Sequence, residues 1–184
     1  MESRFSASIF VAVIFLADTA VVGAEETQRS GFWGGIDIGA GYVQRSVGSL
    51  ESNSTDVYMG FKAGYVLHPQ VLAGLELSGW NQEATDRDDS TKGEGLMQAF
   101  LISRLYPMRD SNLFAKVGGG WVRQWVNGPA GKSTLDGWGA TVGVGYDYSL
   151  GENWAVTPFL NYSFGRAEDQ KHQAVTLGVG FSFY

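Results

Sequence analysis

The chain of 184 residues contains no cysteine, two histidines and four prolines. Without cysteine, neither a disulfide framework nor a thiolate metal site can form. The formal net charge of -6 offers no basic surface for nucleic acid, so nucleic-acid binding is not expected. The 26 glycines and the aromatic content of 14% are, by contrast, high for a globular domain. Glycine and aromatic residues in short alternating runs are typical of an all-β barrel.

The first 24 residues have the features of a secretory signal peptide. Arg4 supplies a positive charge, residues 9–17 are apolar, and Val22-Gly23-Ala24 matches the small-residue pattern of a cleavage site. We therefore predict cleavage between Ala24 and Glu25. The apolar run is too short to span a bilayer, which takes about 20 apolar residues. No later segment is apolar enough for a membrane helix, so a membrane-embedded mature protein must cross the bilayer with strands.

Most of the remaining chain consists of segments in which apolar residues alternate with small or polar ones. In the last segment, Val175 to Tyr184, every odd position is apolar, and the sixth segment shows the alternation most cleanly. A period of two predicts a β-strand with one apolar face. Pro158 removes one backbone donor from the seventh segment, where we expect a bulge or a local break. The eight segments are residues 32–44, 55–67, 71–80, 95–106, 113–125, 137–148, 154–164 and 175–184.

The lengths of these segments predict that they cross a membrane. They have ten to thirteen residues, whereas a tilted membrane strand needs about 9–11 and a soluble strand has about 5–6. An unpaired apolar edge at the end of the chain would invite aggregation, so we expect the last strand to pair with the first. The predicted fold is all-β, an eight-stranded antiparallel up-and-down transmembrane β-barrel over residues 32–184. Short connections (68–70, 107–112 and 149–153) alternate with longer or more polar ones (45–54, 81–94, 126–136 and 165–171).

The signal peptide, the eight alternating strands and the aromatic end of the last strand resemble the small eight-stranded outer-membrane β-barrels, which are porin-like proteins of the OmpX, OmpA-barrel and opacity-protein type. The resemblance implies the outer membrane of a Gram-negative bacterium, reached by the general secretory route. Residues 25–31 would be a short periplasmic segment, the short turns would be periplasmic, and the four polar loops would be extracellular.

The same resemblance implies a non-enzymatic structural or surface-interaction role and a set of partners. These are outer-membrane lipid and lipopolysaccharide, the barrel-assembly machinery and periplasmic chaperones during biogenesis, and a host or surface ligand bound through the loops. The signal for barrel assembly would lie at the end of the last strand, in Val179, Phe181, Phe183 and Tyr184.

The face that carries the glycines also carries six charged residues. An eight-stranded barrel has an interior just wide enough for side chains to fill, so we expect these residues to plug it. Buried charges need partners, which predicts an interior charge network, with a proton or ion path as the alternative to a structural plug. Lys62, Glu76 and Arg104 lie on consecutive strands and are its expected centre. The six residues are Asp37, Lys62, Glu76, Arg104, Lys116 and Asp147.

Aromatic residues gather near the ends of the predicted strands. Amphipathic rings favour the boundary between membrane and water, so two outward-facing girdles are expected. Their predicted members include Trp33, Trp80, Tyr106, Trp121 and Trp138.

Two other functions are alternatives. A lipid A-modifying hydrolase or acyltransferase at the extracellular rim would need a serine activated by a histidine, for which His172 with Ser163 or Ser133 is the candidate. A soluble periplasmic barrel that binds an apolar ligand would need its aliphatic faces to point inward. We assign no catalytic residue, cofactor or metal site.

Overall fold

A computed structural model of the chain describes residues 29–47, 50–83, 93–109, 111–128, 131–168 and 170–184. The predicted signal peptide and its cleavage site at Ala24 and Glu25 lie outside these residues. No helix in the described ranges is long and apolar enough to cross a bilayer. The strands are β1 (Phe32–Val47), β2 (Leu50–His68), β3 (Val71–Glu83), β4 (Gly93–Leu105), β5 (Leu113–Gly128), β6 (Gly131–Tyr146), β7 (Tyr148–Ser149), β8 (Trp154–Ala167) and β9 (Gln170–Phe183).

The strands form one closed antiparallel barrel. Each strand pairs with its neighbours in chain order, and β1 pairs with β9 from Gly34 opposite Phe183 to Val47 opposite Gln170. Both β6 and β7 pair with β8, so together they act as one interrupted strand of an eight-stranded barrel. The predicted fold class and the predicted pairing of the first and last strands are confirmed.

The interruption between β6 and β7 lies opposite Pro158. Gly145 faces Phe159 and Tyr148 faces Val156, so residues 146–147 lie opposite residues 157–158. Proline has no N–H to give to the ladder. On the other side, the Asp147 N–H donates to the carbonyl of Asn112 at 3.1 Å and so continues the pairing with β5. The break that the sequence predicts at Pro158 is therefore present, and within it Asp147 keeps the inward face that the alternation predicts.

The aliphatic residues cover the outside of the barrel. Ile38, Leu101 and Leu177 are each at least 60% exposed, whereas Phe100 and Ile102 point inward and are buried. On β9 the apolar face runs over the nine residues 175–183. At a rise of about 3.3 Å per residue and a tilt of about 45°, it spans about 20 Å, close to the apolar band of an outer-membrane barrel. A soluble barrel with inward aliphatic faces does not fit this arrangement.

The strands extend further than predicted at one end of the barrel. We call this end, at Val47, Glu83, Gly128 and Ala167, the loop end, and the opposite end the turn end. Much of the predicted loops 45–54, 81–94, 126–136 and 165–171 is strand. On β8 and β9 the outward residues beyond the apolar band, Arg166 and Lys171, are charged and exposed. The alternation of apolar and polar residues that reveals a strand in the sequence is therefore lost there while backbone pairing continues.

Three predicted girdle residues, Trp33, Trp80 and Tyr106, lie inside the barrel instead and are at most 1% exposed. Trp80 has room there because Gly41 faces it, and a Cβ at Gly41 would overlap the Trp80 indole. The predicted girdle position was wrong because closeness to a strand end does not determine which face a residue occupies.

We predict that a cysteine at position 142 contacts lipid and that one at position 141 does not. The chain has no native cysteine, and Val142 is 47% exposed whereas Thr141 is 2% exposed. In liposomes, Val142→Cys should react with an apolar maleimide and Thr141→Cys should not. The reverse pattern would contradict the assignment of the two faces.

Candidate functional site

Asp147 is the centre of a polar cluster inside the turn end. Its carboxylate is fully buried and accepts hydrogen bonds from the hydroxyls of Tyr106, Thr157 and Tyr184, each at 2.6 Å. Arg104 donates to the Tyr184 hydroxyl at 3.2 Å and lies 3.9 Å from Asp147. Hydrogen bonds to an ionised acceptor are about twice as strong as neutral ones. The residues of this cluster come from β4, the β6–β7 break, β8 and the end of β9, so these strong hydrogen bonds hold the four elements together.

Arg29, which precedes β1, enters the same cluster. Its Nη2 donates to Asn112 Oδ1 at 2.5 Å and lies 3.9 Å from Asp147 Oδ2. Its guanidinium lies 3.6 Å from the centre of the Tyr106 ring, within cation–π range. Sequence reasoning missed Arg29 because it precedes the first alternating segment. A single basic residue directly before an amphipathic strand was the available signal.

Two ion pairs occupy the middle of the interior. Lys62 Nζ bonds Asp37 Oδ1, and Lys116 Nζ donates to both carboxylate oxygens of Glu76 at 3.0 and 2.9 Å. Glycine provides the space for the first pair. A Cβ at Gly180 would overlap Asp37 Oδ1 and would lie 3.0 Å from Lys62 Nζ. The inward glycine thus leaves the space that the inward charged side chains fill.

All six charged residues that the alternation placed inside are buried, but their direct partners differ from the predicted centre. Lys62 and Glu76 face each other in the β2–β3 register, yet Lys62 bonds Asp37 on β1 and Glu76 bonds Lys116 on β5. Arg104 joins the Asp147 cluster instead. In a narrow barrel a side chain can reach past its neighbouring strand, so strand order alone does not determine the partners.

His172 lies inside the barrel towards the loop end and is 1% exposed. Its Nε2 lies 3.3 Å from the side-chain nitrogen of Gln98, and its Nδ1 lies 3.1 Å from that of Gln124. A neutral imidazole has one donor and one acceptor, so one of these amides must present its oxygen. Gln124 Oε1 is one of the buried side-chain oxygens that have no hydrogen-bond partner among the described residues. Nearby, Asp56 lies 3.9 Å from Arg45.

The predicted rim arrangement for acyl transfer is not formed by these residues. The ring nitrogens of His172 face the two glutamine amides, and Ser163 Oγ donates to Thr141 Oγ1 at 3.2 Å. Ser133 is exposed on β6. Nucleophilic catalysis needs serine and histidine within hydrogen-bonding distance, and neither serine has that contact.

The outer wall changes from apolar to charged residues just beyond Trp121 and Trp138. Next along the two strands, Arg123 donates two hydrogen bonds to Asp136, at 2.7 and 3.0 Å. These bonds lower the pKa of the Asp136 carboxyl below its usual value. The Arg123 guanidinium also lies 4.6 Å from the Trp121 ring centre. This step from tryptophan to an ion pair marks the loop-end boundary of the apolar band.

A closed barrel of eight long strands, apolar outside and charged inside, is the arrangement of a small outer-membrane β-barrel protein. The family model described as the outer membrane protein beta-barrel domain matches residues 11–183, and the chain belongs to this family. It is an outer-membrane protein of a Gram-negative bacterium.

Two bacterial proteins are among the solved structures with a similar fold. Ail, the attachment invasion locus protein of Yersinia pestis, is 12% identical with a TM-score of 0.54, over 84% of this chain and 99% of Ail. Neisserial surface protein A is 17% identical with a TM-score of 0.59, over 84% of this chain and 97% of that protein. At these identities the likeness establishes the fold alone. No curated protein sequence matches the chain.

We predict that Lys116→Met destabilises the barrel by about 3–5 kcal/mol, because it leaves the Glu76 carboxylate buried without its cation. The double variant Lys116→Met with Glu76→Leu should recover most of this loss, since it removes both charges. Urea unfolding from lipid vesicles, followed by gel mobility, measures the change. Equal destabilisation in the single and double variants would show that the pair itself is not the cause.

Tyr184→Phe should lower the free energy of unfolding by about 1–3 kcal/mol, because the buried Asp147 carboxylate loses one hydroxyl donor. Tyr65→Phe is the matched control, since Tyr65 faces outward and is 59% exposed. The same unfolding measurement applies. A loss no larger than that of the control would mean that the Tyr184 hydroxyl does not contribute to stability.

Proposed function

We propose that this protein is a non-enzymatic surface protein of the outer membrane. Side chains plug its interior, and its extracellular loops contact a host or surface ligand. The observation that carries the proposal is the series of interior clusters around Asp147, around Glu76 and around His172, which follow one another from the turn end to the loop end.

The plug follows from the size and charge of the interior. An eight-stranded barrel leaves space for side chains and little else. The paired charges oppose passage of ions of either sign, because an ion would have to displace a bonded partner. We expect no large or stable conductance when the protein is inserted into planar bilayers. A stable open channel would contradict the plug and would favour an ion path.

The proposed orientation places the turn end in the periplasm and the loop end outside the cell. Short turns on one side and longer hairpins on the other are the layout of outer-membrane barrels. The hairpins of this chain continue as paired strands past the ion pair of Arg123 and Asp136. These paired strands would hold the loop tips above the membrane surface, where the tips could contact another surface.

One structural neighbour lends limited support to a surface ligand. Ail was solved in complex with the heparin analogue sucrose octasulfate, at 12% identity and a TM-score of 0.54 over 83% of this chain and 99% of Ail. That ligand is a property of Ail. For this chain it supports only the proposal that a barrel of this fold can bind a ligand.

For biogenesis, we propose that the assembly machinery binds the outward residues of the last strand. Val179, Phe181 and Phe183 face outward and are 37–48% exposed, whereas the Tyr184 side chain points into the interior. The outward aromatic residue of the proposed signal would therefore be Phe183, and Tyr184 would serve the interior cluster.

We predict that the surface role depends on the loop between β3 and β4. Replacing residues 84–92 with a short Gly-Ser linker should abolish adhesion of expressing cells to immobilised host matrix, while the heat-modifiable gel mobility of the barrel stays unchanged. An equivalent Gly-Ser replacement of the turn residues 150–153 is the control and should leave adhesion intact.

Labelling of intact cells separates failure of the orientation from failure of the adhesion role. Thr134→Cys, at the loop end, should react with a membrane-impermeant maleimide, and Glu152→Cys, at the turn end, should not. Correct labelling with unchanged adhesion would reject this loop as the ligand-binding element, and reversed labelling would reject the orientation.

A further inference from the structure

Arg29 enters the interior from a segment that is fixed to the wall just before β1. The backbone of Gly31 has a φ of 74°, in the left-handed region that favours glycine. The Gly31 carbonyl accepts a hydrogen bond from the N–H of Val66 on β2 at 2.8 Å. Of the two residues before this fixed point, Arg29 is buried and Ser30 is exposed. The segment before β1 is therefore held at the turn end with the Arg29 side chain inside.

Four buried side chains form a pocket around the Arg29 guanidinium. The centre of the Tyr106 ring lies 3.6 Å from the guanidinium carbon, and the centre of the Tyr184 ring lies 5.9 Å from it. Asn112 Oδ1 accepts a hydrogen bond from Nη2 at 2.5 Å, and Asp147 Oδ2 lies 3.9 Å from the same nitrogen. We call these four residues the arginine pocket, and all of them are buried. The pocket offers a ring to the face of the guanidinium and oxygens to its edge.

The walls of the arginine pocket are held by bonds in which Arg29 takes no part. Three hydroxyls fix the Asp147 carboxylate, and the Asp147 N–H donates to the Asn112 carbonyl. The backbone N–H groups of Tyr106 and Tyr184 donate to carbonyls of neighbouring turns, each at 2.9 Å. A site whose groups are already in place loses little conformational entropy when a ligand binds. The pocket should therefore remain a binding site when Arg29 is removed.

Arg29 leaves part of its bonding capacity unused in this pocket. A guanidinium carries five N–H donors, and Arg29 Nε is buried without a hydrogen-bond partner among the described residues. The Asp147 carboxylate is also shared, because Arg104 lies 3.9 Å from its other oxygen. Two positive charges close to one carboxylate repel each other and weaken the attraction that each receives. Arg29 can therefore leave the pocket and return to it while the barrel stays folded.

We infer that the arginine pocket is a binding site for guanidinium groups and that Arg29 is its tethered ligand. The tether holds the segment before β1 against the turn end. A soluble guanidinium compound takes the same place once Arg29 is absent. The site selects guanidinium over ammonium, because a planar guanidinium stacks on Tyr106 with its face and donates to Asn112 from its edge, whereas a compact ammonium has no separate face and edge. The inference depends neither on the proposed surface role nor on the proposed orientation.

The first test measures binding of n-propylguanidinium to the full barrel in zwitterionic micelles, from the NMR shift of the Asn112 side-chain amide. Arg29→Ala should bind it at least about tenfold more tightly than the wild type, in which the tethered Arg29 must first be displaced. n-Propylammonium should bind to neither protein. Arg109→Ala is the matched control, since it removes an exposed arginine of the turn before β5, and it should behave like the wild type.

A second substitution locates the bound guanidinium. Calorimetric titration of n-propylguanidinium into Arg29→Ala with Asn112→Leu should show that binding is lost, because the acceptor oxygen is gone while the volume of the side chain is kept. Binding as tight as that of Arg29→Ala alone would place the ligand elsewhere and reject the pocket. Equal binding of n-propylammonium and n-propylguanidinium to Arg29→Ala would reject the selectivity and leave only a general attraction of cations to Asp147.

The second test follows the segment before β1 directly. The chain has no native cysteine, so a nitroxide on Ser30→Cys reports on this segment alone. Its electron paramagnetic resonance spectrum should show a restricted label in the presence of Arg29 and a mobile label in the Arg29→Ala and Arg29→Lys backgrounds. With Arg29 present, excess n-propylguanidinium, far below denaturing concentrations, should mobilise the label by competition, and n-propylammonium should not.

The inference is wrong if Arg29→Ala binds n-propylguanidinium no more tightly than the wild type while both keep the heat-modifiable mobility of a folded barrel. A label at Ser30→Cys that is equally mobile with and without Arg29 would reject the tether. A restricted label in the Arg29→Lys background would show that any cation is sufficient. If Arg29→Ala does not fold, the competition experiment in the presence of Arg29 decides, and a label that n-propylguanidinium leaves restricted would overturn the inference.

Discussion

Backbone hydrogen bonding between β1 and β9 is the interaction on which the rest of the barrel depends. A bilayer core offers no water to an unpaired N–H or C=O, and each such group costs several kcal/mol there. The ladder between these strands runs from Gly34 opposite Phe183 to Val47 opposite Gln170. Once it has formed, the width of the interior is set, and every inward side chain must find its partners within that width.

The narrow interior explains why bulky polar groups and glycines occur together. Trp80 lies against Gly41, His172 against Gly165, and the Asp37–Lys62 pair against Gly180. In each case a Cβ on the glycine would overlap the group that faces it. Buried ion pairs lose hydration as they form and so contribute less to stability than their attraction suggests. Their partners are nevertheless specific, because removing either member leaves the other charge without compensation.

The fold could be predicted from the sequence because one face of every strand meets lipid. Because of that constraint, apolar residues recur at every second position of a strand. Four strands begin at the predicted residue: β1 at Phe32, β3 at Val71, β5 at Leu113 and β8 at Trp154. The same constraint ends where the strands leave the apolar band. In the extensions of β8 and β9 at the loop end the outward residues, such as Arg166 and Lys171, are charged, so the apolar pattern stops there.

The interior could be predicted as a set of residues but not as a set of contacts. Alternation assigns Glu76 and Lys116 to the inside. That they bond each other across β4 depends on the closed geometry, which no local pattern contains. Arg29 belongs to no alternating segment, and its place beside Tyr106 and Asn112 follows only from the three-dimensional arrangement. Which ring faces inward near a strand end, as for Trp33, likewise requires the register.

Asp147 lies in the interruption opposite Pro158, and its partners come from distant parts of the chain. Arg29 precedes the first strand, so it can meet this carboxylate only when the two edges of the sheet have come together, whereas Tyr184 reaches it across β8 alone. The buried Asp147 carboxylate therefore has all of its partners only in the closed barrel. A sheet that is still open would leave part of its negative charge without compensation.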